Sequence, residues 1–137
     1  MPPRRLVERY RGAAKIVEVG AGQRFDDAIA FARALPGTRV VVTDTDPRVL
    51  RAEAPLWAEI DDITRPRRAN YEGAALVYGV RLPEDLHAAA GTLARSIGAD
   101  FALRLLGDEA PALPAWGPGE VLEDAGGSWR LWPRSNA

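Results

Sequence analysis

The chain has 137 residues, of which 47% are hydrophobic and 27% are charged, and its formal net charge is −1. This length and composition predict one compact domain over residues 1–137 with enough apolar side chains for a hydrophobic core. The near-neutral charge gives no indication of general binding to nucleic acid. Cysteine is absent and histidine occurs once, which excludes disulfides, cysteine nucleophiles and Cys/His metal clusters.

Hydropathy along the chain is that of a water-soluble protein. No apolar run approaches the roughly 18 residues that a membrane-spanning helix needs. The basic residues Arg4 and Arg5 are not followed by an apolar signal core. We therefore expect a cytoplasmic protein that neither crosses a membrane nor binds a metal.

Hydrophobic periodicity predicts strands and helices that alternate along most of the chain. Helices are predicted at residues 5–11, 26–35, 47–54 and 82–97, and strands at 15–19, 40–44, 56–60, 74–78 and 101–106. Asp26 and Asp46 are predicted helix N-caps. Such alternation favours an α/β fold with a doubly wound, mostly parallel sheet between two helical layers. We predict the strand order 3-2-1-4-5.

The C-terminal part follows a different pattern. Residues 107–119 are dominated by Gly, Pro and Ala and are predicted to form a loop. Residues 121–132 then predict an antiparallel hairpin beside the fifth strand. The tryptophans there, Trp116, Trp129 and Trp132, are predicted to cover the sheet edge or to fill a small core. Acceptor binding, or contact between the two chains of a homodimer, is the alternative role for these tryptophans.

Two glycines and two acids predict a ligand site at the carboxyl ends of the strands. Gly20 and Gly22 follow the first strand, where a sharp turn lets a ligand approach the backbone. Asp44 ends the second strand, where a carboxylate can accept both hydroxyls of a ribose. Glu18 lies close enough to the turn to accept from an ammonium group. The four residues therefore predict a ligand with a ribose and an ammonium.

The same residues resemble motifs of the class I S-adenosylmethionine-dependent methyltransferases. Residues 17–22, Val-Glu-Val-Gly-Ala-Gly, resemble the first motif of that superfamily, and residues 41–47 resemble its second motif. The resemblance implies a Rossmann-like fold, S-adenosylmethionine as the adenosine ligand, Asp44 on the ribose, and Asp62 on the adenine. Residues 61–63 and 78–83 look most like a small archaeal family of uncharacterised proteins. The resemblance covers about residues 5–106.

The chain departs from the pattern of the superfamily at two places. Arg24 stands where methyltransferases usually have a third glycine, and residues 79–83 lack the Asn/Asp-Pro-Pro-aromatic motif of many amino-group methyltransferases. An acceptor is expected to contact residues 78–83, because loops after strands line the crevice in this fold. Tyr78 and Arg81 are the residues expected to contact the acceptor. The Arg81 guanidinium could form a bidentate pair with a carboxylate or a phosphate.

Three functions remain open at this point. The preferred one is a protein that binds S-adenosylmethionine, with little or no methyl transfer by the chain alone. The first alternative is an active small methyltransferase of unknown acceptor. The second is a nicotinamide-dinucleotide protein, which the sequence disfavours because Phe25 stands where that fingerprint needs a third small residue.

Overall fold

The structure, a computed structural model, describes residues 2–105, 113, 116–124 and 127–134. The α-helices are α1 (Arg4–Arg9), α2 (Asp26–Ala34) and α3 (His87–Ser96). The strands are β1 (Lys15–Val19), β2 (Arg39–Asp44), β3 (Trp57–Ile60), β4 (Leu76–Val80), β5 (Asp100–Leu105), β6 (Glu120–Asp124) and β7 (Gly127–Trp132). Most of the predicted loop at 107–119, and the hairpin turn at 125–126, lie outside the described residues.

All seven strands form a single sheet in the order β3-β2-β1-β4-β5-β7-β6. The predicted order of the first five strands is confirmed, and these five pair in parallel. The predicted hairpin is also confirmed: β7 pairs antiparallel with β5, and β6 pairs antiparallel with β7. Since the chain passes from β1 to β2 on one side and returns to β4 on the other, β1 and β4 flank the point where the strand order reverses.

The sheet separates two hydrophobic cores. Side chains alternate between the faces along a strand, so Ile16 belongs to one core while Val17 and Val19 belong to the other. The first core is closed by α1 and α2, and the second by α3 together with the buried ring of Tyr71. The inner strands are buried on both faces, which explains their continuous β-branched runs. This is the predicted three-layer arrangement.

Two predicted helices differ from the observed ones. Residues 47–54 form only a short 3₁₀ helix, Pro47–Arg51, with Asp46 as its N-cap accepting from the Arg48 amide at 2.9 Å. The predicted helix 82–97 begins as a 3₁₀ turn, Glu84–Leu86, and becomes α-helical only at His87. Asp26 is the first residue of α2 rather than its cap, and its negative charge there favours the helix N-terminus.

The tryptophans of the hairpin region confirm the predicted packing role. Trp129 is fully buried and Trp132 nearly so, and the Trp132 ring stacks on Phe101 of β5. Trp116 lies against Gly91 of α3, where an added Cβ would come within 2.8 Å of the indole ring. Gly91 therefore lets the Trp116 indole pack directly on the backbone of α3.

Asp100 joins the first helix to the end of the last strand. Its Oδ2 atom accepts from the Tyr10 hydroxyl at 2.8 Å and from Arg9 Nε at 3.2 Å. Its Oδ1 atom accepts from the Arg134 amide at 2.7 Å. These contacts lie at the amino ends of the parallel strands, on the opposite side of the sheet from the carboxyl edge.

The outermost strands, β3 and β6, expose both apolar and charged side chains. Trp57 of β3 is exposed over half its surface, and the Arg39 guanidinium lies 4.0 Å from the centre of its ring. Glu120 and Glu123 of β6 are exposed. No helix within the described part of the chain has the length and apolar character needed to span a membrane.

Candidate functional site

The glycine turn after β1 lies at the reversal point of the sheet. Gly20 and Gly22 have φ values of +68° and +60°, which favour glycine over residues with a side chain. A Cβ at Gly20 would come within 2.7 Å of Leu82 Cδ1, so a side chain there would require the Leu82 side chain to move. The Ala21 amide donates to the Thr43 carbonyl at 3.0 Å, which fixes the turn against the end of β2.

The Asp44 carboxylate is held in place by backbone amides before any ligand binds. Its Oδ2 atom accepts from the Gly22 amide at 2.7 Å, and its Oδ1 atom accepts from the Asp46 amide at 2.9 Å. The side chain is partly exposed, and its Oδ1 atom also accepts from the Thr45 hydroxyl at 3.4 Å. Oδ2 can therefore accept from a ligand hydroxyl beside the Gly22 amide, whereas a ligand hydroxyl that donates to Oδ1 would replace the Thr45 hydroxyl.

Glu18 is a buried carboxyl group beside the turn. It is 2% exposed, and its Oε1 atom has no hydrogen-bond partner among the described residues. Burial is the main reason that its pKa rises from 4.5 to about 8, and the negative charges of Asp27, Asp26 and Asp44 raise the pKa further. At neutral pH this carboxyl group is therefore mostly protonated unless a cation approaches it.

Tyr78 is a neighbour of Glu18 in the core rather than a wall of the crevice. The two residues are register partners on β1 and β4, and the Tyr78 hydroxyl opposes the rise in the pKa of Glu18. The tyrosine ring is fully buried, with its centre 5.1 Å from that of Phe31 and 5.7 Å from that of Trp129. Burial also raises the pKa of Tyr78, so the hydroxyl stays neutral. Tyr78 was expected to contact the acceptor, but its side chain lies in the core.

A cavity of about 260 Å³, here called the Glu18 cavity, lies beside the turn. Its walls come from the ends of β1, β4 and β5 and from the start of α2: Glu18, Gly20, Ala21, Gly22, Gln23, Arg24, Asp26, Asp27, Val80, Arg81 and Arg104. Arg104 Nη1 lies 3.3 Å from Asp27 Oδ2 in a largely buried ion pair. Arg24 and Arg81 are exposed and form no ion pair with any residue that the structure describes.

A smaller space of about 70 Å³, here called the Asp44 cleft, lies on the other side of Gly20. Its walls are Val19, Gly20, Thr43, Asp44, Thr45, Asp61, Asp62, Ile63, Leu82 and Leu86. The Asp62 Oδ1 atom accepts from the amide and the hydroxyl of Thr64, and these bonds lower the pKa of Asp62. Asp61 instead accepts from the Arg67 amide and is buried. The cleft therefore combines acidic side chains with an apolar wall.

Five residues expected from the sequence line two adjoining spaces: Glu18, Gly20 and Gly22 line the Glu18 cavity, and Gly20, Asp44 and Asp62 line the Asp44 cleft. Arg81 is the sixth, and it lines the Glu18 cavity, while its neighbour Leu82 lines the Asp44 cleft. Sequence reasoning missed the pair of Asp27 and Arg104. The signal for it was a charged residue inside the otherwise apolar strand at 101–106. Within the described ranges no cluster of three or more acidic or histidine side chains has the arrangement of a metal site.

Solved structures with a similar fold include S-adenosylmethionine-dependent methyltransferases. The pyocyanin biosynthetic protein PhzM matches 92% of this chain with a TM-score of 0.66 at 13% identity, and the match spans 51% of PhzM. The fibrillarin pre-rRNA processing protein of Methanococcus jannaschii matches 91% with a TM-score of 0.61 at 12% identity, over 69% of its own length. The S-adenosylmethionine-dependent methyltransferase SibL matches 82% with a TM-score of 0.57 at 20% identity, and this chain spans only 37% of it. The chain therefore has a Rossmann-like, methyltransferase-like fold.

Relatives at the sequence level come from archaea. A UPF0146 protein of Archaeoglobus fulgidus is 41% identical over 104 residues, which are 75% of each chain. A UPF0146 protein of Halobacterium salinarum is 38% identical over 105 residues, covering 74% of this chain and 75% of the relative. The model of the uncharacterised protein family UPF0146 matches residues 2–115. The resemblance to a small archaeal family is thereby confirmed, and the chain belongs to the UPF0146 family.

Proposed function

We propose that the protein binds S-adenosylmethionine, or a close adenosine analogue of it, at the carboxyl edge of β1 and β2. The observation that carries the proposal is the Glu18 carboxyl group, buried beside the glycine turn with one oxygen atom unpartnered among the described residues. A buried carboxyl oxygen without a partner is costly, and a cationic ligand group would offset that cost. The methyltransferase-like fold supports the proposal.

The adenosine half of the ligand fits the Asp44 side of the turn. Asp44 would accept from the ribose hydroxyls. The Oδ2 atom of Asp62, which does not accept from Thr64, would accept from the amino group of adenine. The cleft has a volume of about 70 Å³, whereas typical ligand pockets have volumes of about 300 Å³ or more. In this structure the cleft is therefore too small for a nucleoside. The proposal therefore includes a rotation of the Leu82 side chain, which lies over Gly20 in this structure.

The amino-acid half of the ligand fits the Glu18 cavity. The ammonium group would lie against Glu18, whose carboxyl group would then ionise. The carboxylate would lie near Arg24, which follows the turn and forms no ion pair with a described residue. One acid and one arginine on the same short segment would thus recognise an α-amino acid, and they give a reason for Arg24 at the place of the usual third glycine.

Methyl transfer is the second candidate function. S-adenosylmethionine, when bound, supplies an electrophilic methyl group on a positively charged sulfur. The residues that an acceptor could contact in the Glu18 cavity would include Val80, Arg81 and Arg104, which line it at the ends of β4 and β5. Positioning alone can accelerate such a reaction. We expect transfer by the isolated protein to be weak, because a crevice open to water loses the benefit of an enclosed, preorganised site.

Isothermal titration calorimetry tests the binding proposal. S-adenosylmethionine and S-adenosylhomocysteine should each bind with one-to-one stoichiometry, while NAD should not, since Phe25 packs into the core where a small residue is needed. Glu18→Gln should weaken binding of S-adenosylhomocysteine and leave the affinity for adenosine unchanged. Arg33→Gln, an exposed substitution on α2, is the control for general effects. Absence of binding by the parent protein would refute the proposal.

A transfer assay tests the second candidate separately. The protein is incubated with methyl-labelled S-adenosylmethionine and with RNA, protein and small-molecule fractions. Label that enters one fraction at a rate proportional to protein concentration would establish an enzyme. Binding in the calorimeter without any transfer would leave the binding proposal intact and exclude the second candidate for those fractions.

A further inference from the structure

A second cavity lies at the edge of the sheet opposite to the glycine turn. It measures about 510 Å³, which is within the range of small-molecule pockets, and it is larger than the Glu18 cavity. We call it the Asp100 cavity, because Asp100 lines it together with the end of α1 and the segment that follows β7. Among the described residues it shares no wall with the Glu18 cavity or the Asp44 cleft. A ligand there would therefore bind separately from the proposed adenosine ligand.

Asp100 holds the walls of this cavity together. Its carboxylate accepts from Arg9 and from the Tyr10 hydroxyl, and so fixes the end of α1. The same carboxylate accepts from the backbone amide of Arg134 at 2.7 Å, which fixes the chain after β7. Asp100 itself is 7% exposed, and its amide donates to the Ala75 carbonyl at 2.9 Å. The cavity is therefore a built part of the fold rather than a gap between loose chain ends.

Several oxygen atoms of the cavity wall already accept hydrogen bonds from the protein. The Tyr10 carbonyl accepts from the Ala13 amide at 3.0 Å, and the Ala13 carbonyl accepts from the Thr38 hydroxyl at 2.8 Å. The Ala75 carbonyl accepts from the Asp100 amide, and both oxygen atoms of the Asp100 carboxylate have donors. A cationic ligand would have to compete with these donors, so the cavity is poorly suited to a cation.

The charged side chains of the wall favour an anion instead. Three arginines and one aspartate line the cavity, which gives the wall a net charge of +2. Arg9 is paired with Asp100, with 3.2 Å between Nε and Oδ2. Arg11 and Arg134 are exposed, and their guanidinium groups form no ion pair with any residue that the structure describes. These two cations, one on each side of the cavity, are available to a ligand.

We propose that the Asp100 cavity binds a phosphate dianion, either free or as the monoester of a small molecule, and that Arg11 and Arg134 hold it. A phosphate with two negative charges matches the net charge of the wall. Each guanidinium can donate two parallel hydrogen bonds to phosphate oxygens. The volume of about 510 Å³ leaves room for the organic part of a monoester. The net charge of −1 for the whole chain disfavours an extended polyanion as the ligand.

Amide NMR titrations test this site without reference to the adenosine ligand. The parent protein, Arg11→Gln, Arg134→Gln and the control Arg33→Gln are each titrated at pH 7.5 and constant ionic strength. The probes are inorganic phosphate, glycerol 3-phosphate, acetate and a short single-stranded RNA. At this pH a phosphate monoester carries close to two charges, since its second pKa is about 6. The control removes the same charge from an exposed position on α2, and the spectra also show whether each variant is folded.

Both phosphates should shift the amide signals of Arg11, Gly12 and Arg134, and leave those of Gly20 and Gly22 unchanged. Arg11→Gln and Arg134→Gln should each bind the phosphates about fivefold more weakly, because each loses a charged donor at an exposed site. Arg134→Gln keeps the backbone amide that donates to Asp100, so the wall itself should persist. The control should match the parent, and acetate, with a single charge, should bind more weakly than phosphate. Tighter binding of glycerol 3-phosphate would assign the site to a monoester, and tighter binding of inorganic phosphate would assign it to free phosphate.

Three results would overturn the inference. The first is an absence of shifts with both phosphates, or equal affinities in the parent protein and in both arginine variants. The second is acetate binding as tightly as phosphate, which would show that the second charge is not recognised. The third is RNA that shifts the same amides and binds more tightly than either phosphate, which would assign the site to a polymer. S-adenosylhomocysteine takes no part in these titrations, so the proposed function is tested separately.

Discussion

Replacing Glu18 by Gln should change how the stability of the protein depends on pH. The carboxyl group has a folded-state pKa of about 8, against 4.5 for an exposed glutamate. Between these values the folded protein keeps a proton that the unfolded chain has released. The parent protein therefore loses stability as the pH rises through this window, by about 1.4 kcal/mol per unit. From pH 5 to pH 7 the Glu18 contribution amounts to roughly 2.7 kcal/mol.

Urea denaturation of the parent and Glu18→Gln at pH 5, 6 and 7 measures this contribution. A neutral amide does not titrate, and the other ionisable groups are shared by both proteins. The free energy of unfolding of the variant minus that of the parent should therefore become more positive by roughly 2.7 kcal/mol across this range. A difference that stays constant with pH would show that Glu18 is ionised in the folded state, and the argument from its burial would be wrong.

Ligand affinity gives the same reasoning a second, independent readout. An ammonium group needs the ionised form of Glu18, whose population rises with pH up to about 8. The affinity of the parent protein for S-adenosylhomocysteine should therefore increase about tenfold between pH 6 and pH 7. In Glu18→Gln the affinity should be weaker and nearly constant over this interval. A pH-independent affinity in the parent would remove Glu18 from the ligand site.

Three further substitutions test other parts of the structure. Asp44→Ala removes the proposed ribose acceptor and the partner of the Gly22 amide, and calorimetry should show binding weakened by about 1.5–3 kcal/mol; parent-like affinity would make the ribose assignment wrong. Gly91→Ala should lower the midpoint of thermal unfolding, although alanine is the better helix former, because its Cβ meets the Trp116 ring; a higher midpoint would contradict this. Asp100→Ala should destabilise the protein by roughly 2–3 kcal/mol in urea, since a buried hydroxyl and an amide lose their acceptor, and a loss below about 0.5 kcal/mol would contradict the role given to this residue.

The strand order was predictable because it depends on where strands and turns occur, and local residue types indicate both. Runs such as Val40–Val42 in β2 occur where a strand is buried on both faces, and Gly20 marks the turn at the end of β1. Connections between parallel strands then allow few topologies. The 3₁₀ helix at 47–51 was harder to predict, because Pro47 and the Asp46 cap start an α-helix and a 3₁₀ helix equally well.

The candidate site was only partly predictable, because local sequence does not determine how exposed a side chain is or in which direction it points. Glu18 was expected near the turn, but its burial, and hence its raised pKa, depends on α2 and on the neighbouring strands. Tyr78 was expected to line the crevice, yet alternation along β4 turns its side chain into the core beside Phe31. The pair of Asp27 and Arg104 joins residues from opposite halves of the chain, so the charged residue in the fifth strand indicated a partner but local sequence could not identify which residue it was.

The charges on the outer strands have a consequence for self-association. An exposed strand edge can recruit the same edge of a second copy, and proteins commonly prevent this with short strands and charged side chains. Antiparallel pairing of β6 with another β6 would bring the exposed Glu120 and Glu123 of one copy close to acidic side chains of the other. At the opposite edge β3 has only four residues, and Arg39 covers the indole of Trp57. Growth of the sheet into a continuous intermolecular one is thus opposed at the β6 edge by electrostatic repulsion and limited at the β3 edge by the shortness of that strand.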